Sequence, residues 1–339
     1  MRFARAEQIE TRPVNDEQSH VARAFGQEKK TTSETASAMP DQIVFASAPE
    51  RGIAVVAATT TELVAEAQQR HQLSPTASAA VGRLMTGAAL LGTSLKGRER
   101  LSLQIVGTGP LQSIVADVAR QRDGSIGVRG YAKRPNAELP LNARGKFDVA
   151  AAVGAGSLQV TKSFEVGQPY VGVVPLATGE IGDDVAAYLL KSEQIPSAVA
   201  LGVLAKPDGI AAAGGVLAQV LPGADERAIA DLEERATQLR PVTQQISEGA
   251  SALDLIVAIS GELALKNRRT FDVHFACRCT REKVRLALLG LGQDELLKMA
   301  AERPQTEATC EFCKKTYVLS SQEVERLVQR LREARAEDS

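Results

Sequence analysis

The sequence predicts an α+β protein with three parts: a core domain built on a largely antiparallel sheet with packed helices, a helical linker, and a small C-terminal four-cysteine domain. Three observations indicate this division. Residues 41–222 alternate short β-rich runs and turn signals with helical stretches. Residues 223–270 carry apolar side chains at helical spacing in a charged background. Residues 271–339 contain all four cysteines of the chain.

The length and charge of the chain narrow the classes of protein to which it can belong. Its 339 residues are enough for two or three domains with a sizeable core. The 40 Lys and Arg residues are matched by 41 Asp and Glu residues, so no global basic excess favours a nucleic-acid or membrane partner. No apolar run is long enough to span a bilayer, and the mixed-charge N-terminus is unlike a targeting peptide. We therefore expect a cytoplasmic protein that binds neither nucleic acid nor membrane.

The first 222 residues divide into an extension and the core domain. Residues 1–40 are polar and lack periodicity, which predicts a disordered N-terminal extension. A β-hairpin begins at residue 41, and two helices follow, the second with Ser74 as N-cap and Pro75 in its first turn. Residues 100–132 have the short runs and turns of an antiparallel meander. The rest of the core domain is predicted as a short helix, two strands, a further helix and two buried strands.

The linker is predicted as three short helices of marginal stability. Four apolar residues fall at helical spacing in its first part: Ile229, Leu232, Ala236 and Leu239. Pro241 ends that helix, and two more helical runs follow. Helices this short depend on tertiary packing, so this segment is where conditional folding is expected. The alternative is an ordinary helical layer that covers the sheet.

The four cysteines form two close pairs, Cys277 with Cys279 and Cys310 with Cys313, separated by 30 residues. A borderline-soft divalent ion such as Zn²⁺ takes four ligands tetrahedrally, and two pairs on separate loops can supply all four. The cytosol keeps thiols reduced, which favours metal binding over disulfides. We predict one tetrathiolate site holding one Zn²⁺ per chain. His274 is a rival ligand, but a lone histidine on an apolar strand is more typical of a packed or outer group.

The small C-terminal domain leaves three interpretations of its metal open. Two short helices are predicted between the cysteine pairs, followed after the second pair by a strand and a terminal helix with Ser320 and Glu323 at capping-box spacing. A domain of this size needs its metal in order to fold. The zinc could be purely structural, or it could belong to a nucleic-acid-binding ribbon. From Cys277 onward, however, 12 Lys and Arg face 11 Asp and Glu, which weakens the ribbon interpretation. The third possibility is a redox switch, because oxidation of thiolates with close partners would eject the metal.

Several catalytic motifs are absent, so we predict that the protein is not an enzyme. The sequence has no phosphate-binding loop, no complete dinucleotide-binding glycine motif and no zinc-protease motif. With three histidines, a nucleophilic triad is hard to assemble. Asp183, Asp184 and Glu193 form an acidic cluster that we interpret as the solvated face of a helix.

Several motifs, in order along the chain, resemble one known family. In the core they are GPLQSIVADV, GVRGYA, GKFDVAAAVGAGSLQVTK, PYVGVVPL, GEIGDDVAAYLLKSEQIPSAV and AGGVLAQVLPGA, and in the C-terminal part they are CRC and CEFC. From about Asp41 to about Val328 the chain resembles the heat shock protein 33 family of redox-regulated bacterial chaperones. The resemblance implies a cytoplasmic, ATP-independent holdase that is inactive while reduced and zinc-bound.

The resemblance also implies how such a chain is activated. Oxidants combined with unfolding stress would form two disulfides between sequence neighbours, Cys277 with Cys279 and Cys310 with Cys313. Zinc would leave, and the linker at about Ala224–Thr270 would unfold and expose apolar surface. The activated homodimer would then hold unfolding client proteins until a foldase chaperone system takes them. With this resemblance, marginal stability becomes the favoured interpretation of the linker.

Two features depart from the family pattern. Arg278 stands inside the first cysteine pair, where an acidic residue is common in the family. A cation beside thiolates favours their ionised state and is expected to change their sensitivity to oxidants. The extension at residues 1–40 has no match in the resemblance.

Overall fold

The computed structural model of the protein describes residues 40–337 except residues 207 and 262. Apart from Pro40, the predicted disordered extension lies outside the described residues. The described part has the α+β fold that the sequence predicts. None of its helices is long and apolar enough to cross a membrane.

One large sheet forms the centre of the fold. Its ten strands, in chain order, are β1 Gln42–Ala48, β2 Ile53–Thr59, β3 Arg100–Gly107, β4 Ser113–Arg120, β5 Ile126–Ala132, β6 Gly156–Ser163, β7 Tyr170–Pro175, β8 Ser197–Lys206, β9 Gly209–Val220 and β10 Lys266–Phe275. Their spatial order is β7-β6-β3-β4-β5-β10-β1-β2-β9-β8. Every neighbouring pair is antiparallel except β10 with β5, which is parallel. The prediction of a largely antiparallel sheet is confirmed.

Ten α-helices, a short 3-10 helix at Pro49–Arg51 and a small second sheet complete the described part. The helices are α1 Thr61–His71, α2 Pro75–Gly92, α3 Val149–Val153, α4 Gly182–Ser192, α5 Glu226–Gln238, α6 Val242–Ser247, α7 Ala252–Ser260, α8 Arg281–Leu289, α9 Gln293–Glu302 and α10 Ser321–Glu337. The second sheet is an antiparallel pair, β11 Gln305–Thr309 and β12 Thr316–Ser320. Strand β11 has no counterpart among the elements predicted from the sequence.

Helix α2 is the centre of the main hydrophobic core. Its N-terminus is capped as predicted, with the Ser74 side chain accepting the Ala77 N–H and Pro75 in the first turn. Its small residues allow close approach to the sheet: a Cβ placed on Gly92 would lie 2.5 Å from the Val118 side chain. Most of α2 is buried for this reason, although the helix carries few large side chains.

The three linker helices α5–α7 cover the opposite face of β1, β2 and β9. A second hydrophobic cluster lies between them, formed by Val44, Ala46, Ile53, Val55, Ala57, Val216, Ala218, Ala228, Leu232, Val242, Ala252, Leu255, Ile256 and Ile259. The three helices were predicted from their apolar spacing, and Pro241 separates the first two as expected. The linker therefore forms a helical layer over an apolar face of the sheet.

Strand β10 joins the two halves of the large sheet. It pairs antiparallel with β1 and parallel with β5. Phe271 and Val273 are buried, whereas Asp272 and His274 are exposed, which is the alternation expected of a strand. Lys266–Thr270 thus belong to a strand rather than to a helical linker. Division of the chain at residues 222 and 270 stays a prediction, and β10 runs across the second boundary.

The interpretation of the acidic cluster as a solvated helix face is wrong for Asp184. This side chain is fully buried and accepts hydrogen bonds from four backbone N–H groups, those of Ala177, Thr178, Gly179 and Ile181. A buried carboxylate is tolerated because these donors replace its water shell. Asp184 therefore organises the turn before α4, which sequence periodicity could not show.

Candidate metal centre

The two cysteine pairs lie on two short loops of the C-terminal part. Cys277 and Cys279 follow the end of β10, and the Thr280 side chain ends their loop by accepting the Lys283 N–H as the N-cap of α8. Cys310 and Cys313 lie in the tight turn between β11 and β12. In that turn the Cys310 N–H donates to the Lys315 carbonyl, and the Lys314 N–H donates to the Cys310 carbonyl. Both loops are thus fixed by regular elements on either side.

The four sulfur atoms converge on one point. All four Sγ atoms lie within 4.8 Å of one another, with 3.7 Å between Cys277 and Cys310 and 3.4 Å between Cys279 and Cys313. A tetrahedral zinc site with Zn–S bonds of about 2.3 Å places its sulfurs about 3.8 Å apart. The donor set and its size therefore fit a four-coordinate thiophilic ion. Among residues 40–337, apart from the two undescribed positions, this is the one group of side chains suited to hold a metal.

The environment of the sulfurs distinguishes the cysteines from one another. Burial raises the pKa of the Cys277 thiol, but the backbone N–H of Cys279 and the Arg129 guanidinium outweigh it and bring the pKa to about 7. Burial raises the pKa of Cys310 and brings that of Cys313 to about 12. A divalent cation among them would supply the positive charge that allows the whole set to ionise.

Two polar side chains hold the sulfurs from outside. Arg129 on β5 donates to Cys277 Sγ at 3.5 Å and also donates to Asp117 on β4 at 2.6 Å. The Tyr317 hydroxyl on β12 donates to Cys279 Sγ at 3.1 Å. Hydrogen bonds of this kind orient thiolate ligands and tune their reactivity. No local sequence pattern indicated either residue, because Arg129 and Tyr317 are far from the sulfurs they contact along the chain.

The Cys310–Cys313 turn also packs against the core domain. The Phe312 ring lies edge-on to Tyr131, with 5.0 Å between ring centroids, and the Arg129 guanidinium lies 3.7 Å from the centre of the same ring. His71 Nε2 is 3.0 Å from the Phe312 carbonyl oxygen. Arg70 donates to the Cys313 carbonyl at 3.2 Å. The metal loop is thus in direct contact with α1 and β5.

Two further residues singled out in the sequence have clear positions. His274 is exposed on β10 and is not part of the cysteine cluster. Arg278 points toward Asp117 at 3.9 Å, and its side chain is 23% exposed. Arg278 therefore lies beside the cluster, as its place between two ligands implied. Assignment of the four cysteines as metal ligands stays a prediction that this geometry supports.

Comparison with known proteins identifies the family. A family model described as Hsp33 protein matches residues 41–320. The chain belongs to the Hsp33 family. This confirms the resemblance seen in the sequence motifs and makes the chain a member of a chaperone family.

Individual relatives match over nearly their whole length. The 33 kDa chaperonin of Bacillus licheniformis is 42% identical over 289 residues, which cover 85% of this chain and 98% of that protein. The 33 kDa chaperonin of Picosynechococcus sp. is 45% identical over 298 residues, covering 87% and 99%. The crystal structure of the 33 kDa chaperonin of Thermotoga maritima, a heat shock protein 33 homologue, aligns with a TM-score of 0.79 at 35% identity, covering 87% of this chain and all of that one. The fold prediction is confirmed by this structural match.

Proposed function

We propose that this chain is a redox-regulated, ATP-independent holdase rather than an enzyme. In this proposal it binds unfolding proteins after its cysteine centre is oxidised and prevents their aggregation. The observation that carries the proposal is the convergence of two adjacent cysteine pairs on one point, within 4.8 Å, in a member of a chaperone family. Such a site holds reactive thiolates together with their own disulfide partners.

In the reduced state, Cys277, Cys279, Cys310 and Cys313 hold one Zn²⁺ per chain. An ion bound there would supply the positive charge that keeps the thiolates ionised, and the four cysteines would join the two loops through it. The hydrophobic cluster beside the site is small. Among the residues whose burial the structure describes, its buried members are Leu288, Leu296, Tyr317, Leu319, Val324, Leu327 and Val328. A cluster of this size needs a metal to stabilise it. Loss of the metal from its four ligands would therefore loosen the whole C-terminal domain.

Oxidation would pair sequence neighbours, Cys277 with Cys279 and Cys310 with Cys313, as the family resemblance implies. The shortest sulfur distances in the reduced arrangement, 3.4 and 3.7 Å, join cysteines of different pairs. A tetrahedral arrangement brings all four sulfurs close together, so these distances do not determine which cysteines form disulfides. Peptide mapping of the oxidised protein by mass spectrometry would reveal it. Disulfides across the two loops would contradict this part of the proposal.

The linker helices are the element that oxidation would release. Helix α5 buries two side chains, Ala228 and Leu232, along 13 residues, and α6 buries Val242 and Gln245. The exposed ion pairs of the linker, such as Arg240 with Glu248, each stabilise its folded form by less than about 1 kcal/mol. Helix α7 lies on β1 and β2, α6 lies on β9, and α5 packs against α7, so detachment of all three helices would uncover the apolar face of β1, β2 and β9. That face is suited to bind unfolded client segments, since the surface it presents is apolar and extended.

The remaining features of the proposal follow the family resemblance. The protein acts in the cytoplasm as a homodimer when activated, with unfolded client proteins as partners and a foldase chaperone system downstream. It needs neither a nucleic acid nor a membrane. Sedimentation of the reduced and oxidised protein would test the change in assembly.

The test of this function is a client-aggregation assay. Zinc-loaded protein is treated with hydrogen peroxide under mild heating, and light scattering of a thermally unfolding client is followed. We expect the zinc-loaded wild type to suppress aggregation only after oxidation. The double variant Cys310→Ser with Cys313→Ser lacks two of the four metal ligands, so we expect it to suppress aggregation already before oxidation and to gain nothing from peroxide. Equal suppression by the wild type before and after oxidation would contradict redox control. Salt-sensitive binding to DNA or RNA that this double variant loses would instead favour the zinc-ribbon alternative.

A further inference from the structure

The contact between the metal loop and the core is more specific than simple packing. We define the latch surface as His71, Arg129 and Tyr131, and the knuckle as residues 310–313. Because the Phe312 carbonyl can only accept, His71 must carry its proton on Nε2 and donate to it at 3.0 Å. Burial lowers the pKa of His71, which favours the neutral ring in this contact. Both the backbone and the ring of Phe312 are therefore engaged by the latch surface.

Arg129 connects this contact to the sulfurs. One guanidinium bonds to Cys277 Sγ and to Asp117, and it also covers the Phe312 ring. Its side chain is only 16% exposed. A single group thus touches the first cysteine pair and the knuckle at the same time. Such a position lets it respond to the charge on the sulfurs while it holds the loop.

The side chains around Arg129 and the cysteine sulfurs carry an excess of positive charge unless the sulfurs are negatively charged. Four cations, Arg100, Arg129, Arg278 and Lys283, line one cavity of about 420 Å³ together with Cys279 and Cys310. Asp117 is the carboxylate that pairs with Arg129 and Arg278. Four thiolates around a divalent ion carry a charge of −2, which offsets most of the remaining excess. Two disulfides without the ion carry none.

We propose that the latch surface holds the knuckle against the core only while the sulfurs are metal-bound thiolates, with Arg129 as the positioning residue. The proposal rests on the proposed function and adds the surface through which the core detects oxidation. In the step itself, four thiolates give four electrons to two molecules of hydrogen peroxide. Two S–S bonds form, two O–O bonds break, four protons are taken up, and four waters and the divalent ion are released. The charge of −2 disappears, the cations repel one another, and the knuckle leaves the latch surface.

The test uses the full reduced chain and the variant Arg129→Gln. The chain has three histidines, so ¹⁵N-histidine NMR of the zinc-loaded protein can follow the Nε2–H of His71 by itself. Loss of a hydrogen bond to a charged group weakens docking, and we expect solvent exchange of this proton to rise about tenfold or more. In parallel, absorption of the cobalt(II)-loaded protein reports thiolate coordination. We expect its thiolate-to-cobalt bands to be retained in Arg129→Gln.

Three comparisons complete the test. Arg129→Lys keeps a cation but loses the planar fork, and we expect exchange between that of the wild type and Arg129→Gln. Arg98→Gln is the matched control, because Arg98 is exposed and pairs with Glu165, and we expect no change. Phe312→Leu removes the aromatic contact and leaves the residues of the sheet unchanged. We expect faster solvent exchange of the His71 proton in this variant too. Peroxide-treated wild type should show the same release of His71.

The proposal is overturned if His71 stays protected in both Arg129→Gln and Phe312→Leu, or in the wild type after both disulfides have formed. It is also overturned if Arg129→Gln loses the cobalt bands, because Arg129 would then build the metal site instead of docking it. Failure of the proposed function would give a different result, namely no gain of client protection when the wild type is oxidised. The exchange of the His71 proton in the reduced variants would still test the contact between the latch surface and the knuckle.

Discussion

Replacing Leu232 by alanine tests whether the linker covers the client-binding face. Leu232 is fully buried and is one of two buried side chains on α5. A buried Leu→Ala change costs about 2–5 kcal/mol, of which the transfer of the side chain accounts for about 1.5–3 kcal/mol. Even 2 kcal/mol is roughly a 30-fold change in an equilibrium constant. Since α5 buries so little else, we expect the population of the detached linker to rise about 30-fold or more without oxidation.

The assay compares reduced, zinc-loaded proteins. Hydrogen exchange of residues 226–238 reports detachment of α5, and exchange of residues 242–260 reports detachment of α6 and α7. Light scattering of an unfolding client reports holdase activity. We expect Leu232→Ala to exchange faster and to suppress aggregation while all four thiols and the metal are retained. Leu103→Ala is the matched control, because Leu103 is equally buried but lies in β3 under the other face of the sheet. It should lower the free energy of unfolding without conferring activity in the reduced state.

Two results would refute this reasoning. If residues 226–238 stay protected in Leu232→Ala, the linker is held by more than the buried side chains of α5. If residues 226–260 all open and no activity appears, the face of β1, β2 and β9 is not the surface that binds clients.

Three further outcomes are expected. Burial raises the pKa of Asp41 from 3.8 to about 6, so the stability contributed by this neutral acid is present below about pH 4 and is lost as the pH rises through 6. In urea unfolding, the free energy of unfolding of the wild type should fall by roughly 3 kcal/mol over this rise in pH, and that of Asp41→Asn should not. Tyr317→Phe deletes the hydroxyl donor to Cys279, and chelator competition should show metal affinity about tenfold weaker or more, with the exposed Tyr170→Phe as an unchanged control. Glu323→Gln weakens the ion pairs that join α8 to α10 through Arg281 and Arg285, and the C-terminal domain should lose its metal at a lower chelator concentration than the wild type. Unchanged values in any of these measurements would contradict the role given to that residue.

Elements with local signals could be predicted from the sequence. The hairpin of β1 and β2, the capped start of α2 and the three linker helices all appear where turn residues and apolar spacing indicated them. The predicted capping box is also present, since Ser320 N–H donates to Glu323 and the Glu323 N–H donates to the Ser320 hydroxyl. These features depend on residues close together in the chain, where propensity and periodicity act directly.

Features that depend on distant residues could not be predicted in this way. His71 and Phe312 are 241 positions apart, and Arg129 and Cys277 are 148 apart. The Arg129–Cys277 contact exists because parallel pairing of β10 with β5 brings the first cysteine loop beside the core. The charged start of β10 resembled a linker, since its partners on both sides are remote in sequence. The four cysteines were the exception, because their chemistry identified them as one set before their positions were known.

The central claim is that holdase activity follows oxidation of one tetrathiolate metal centre. Its most direct test is a peroxide titration in which released zinc, remaining thiols and suppression of client aggregation are measured on the same samples. We expect the three curves to superimpose, with one zinc released for every four thiols consumed and activity rising in proportion. Full activity in samples that retain their zinc and all four thiols would contradict the account.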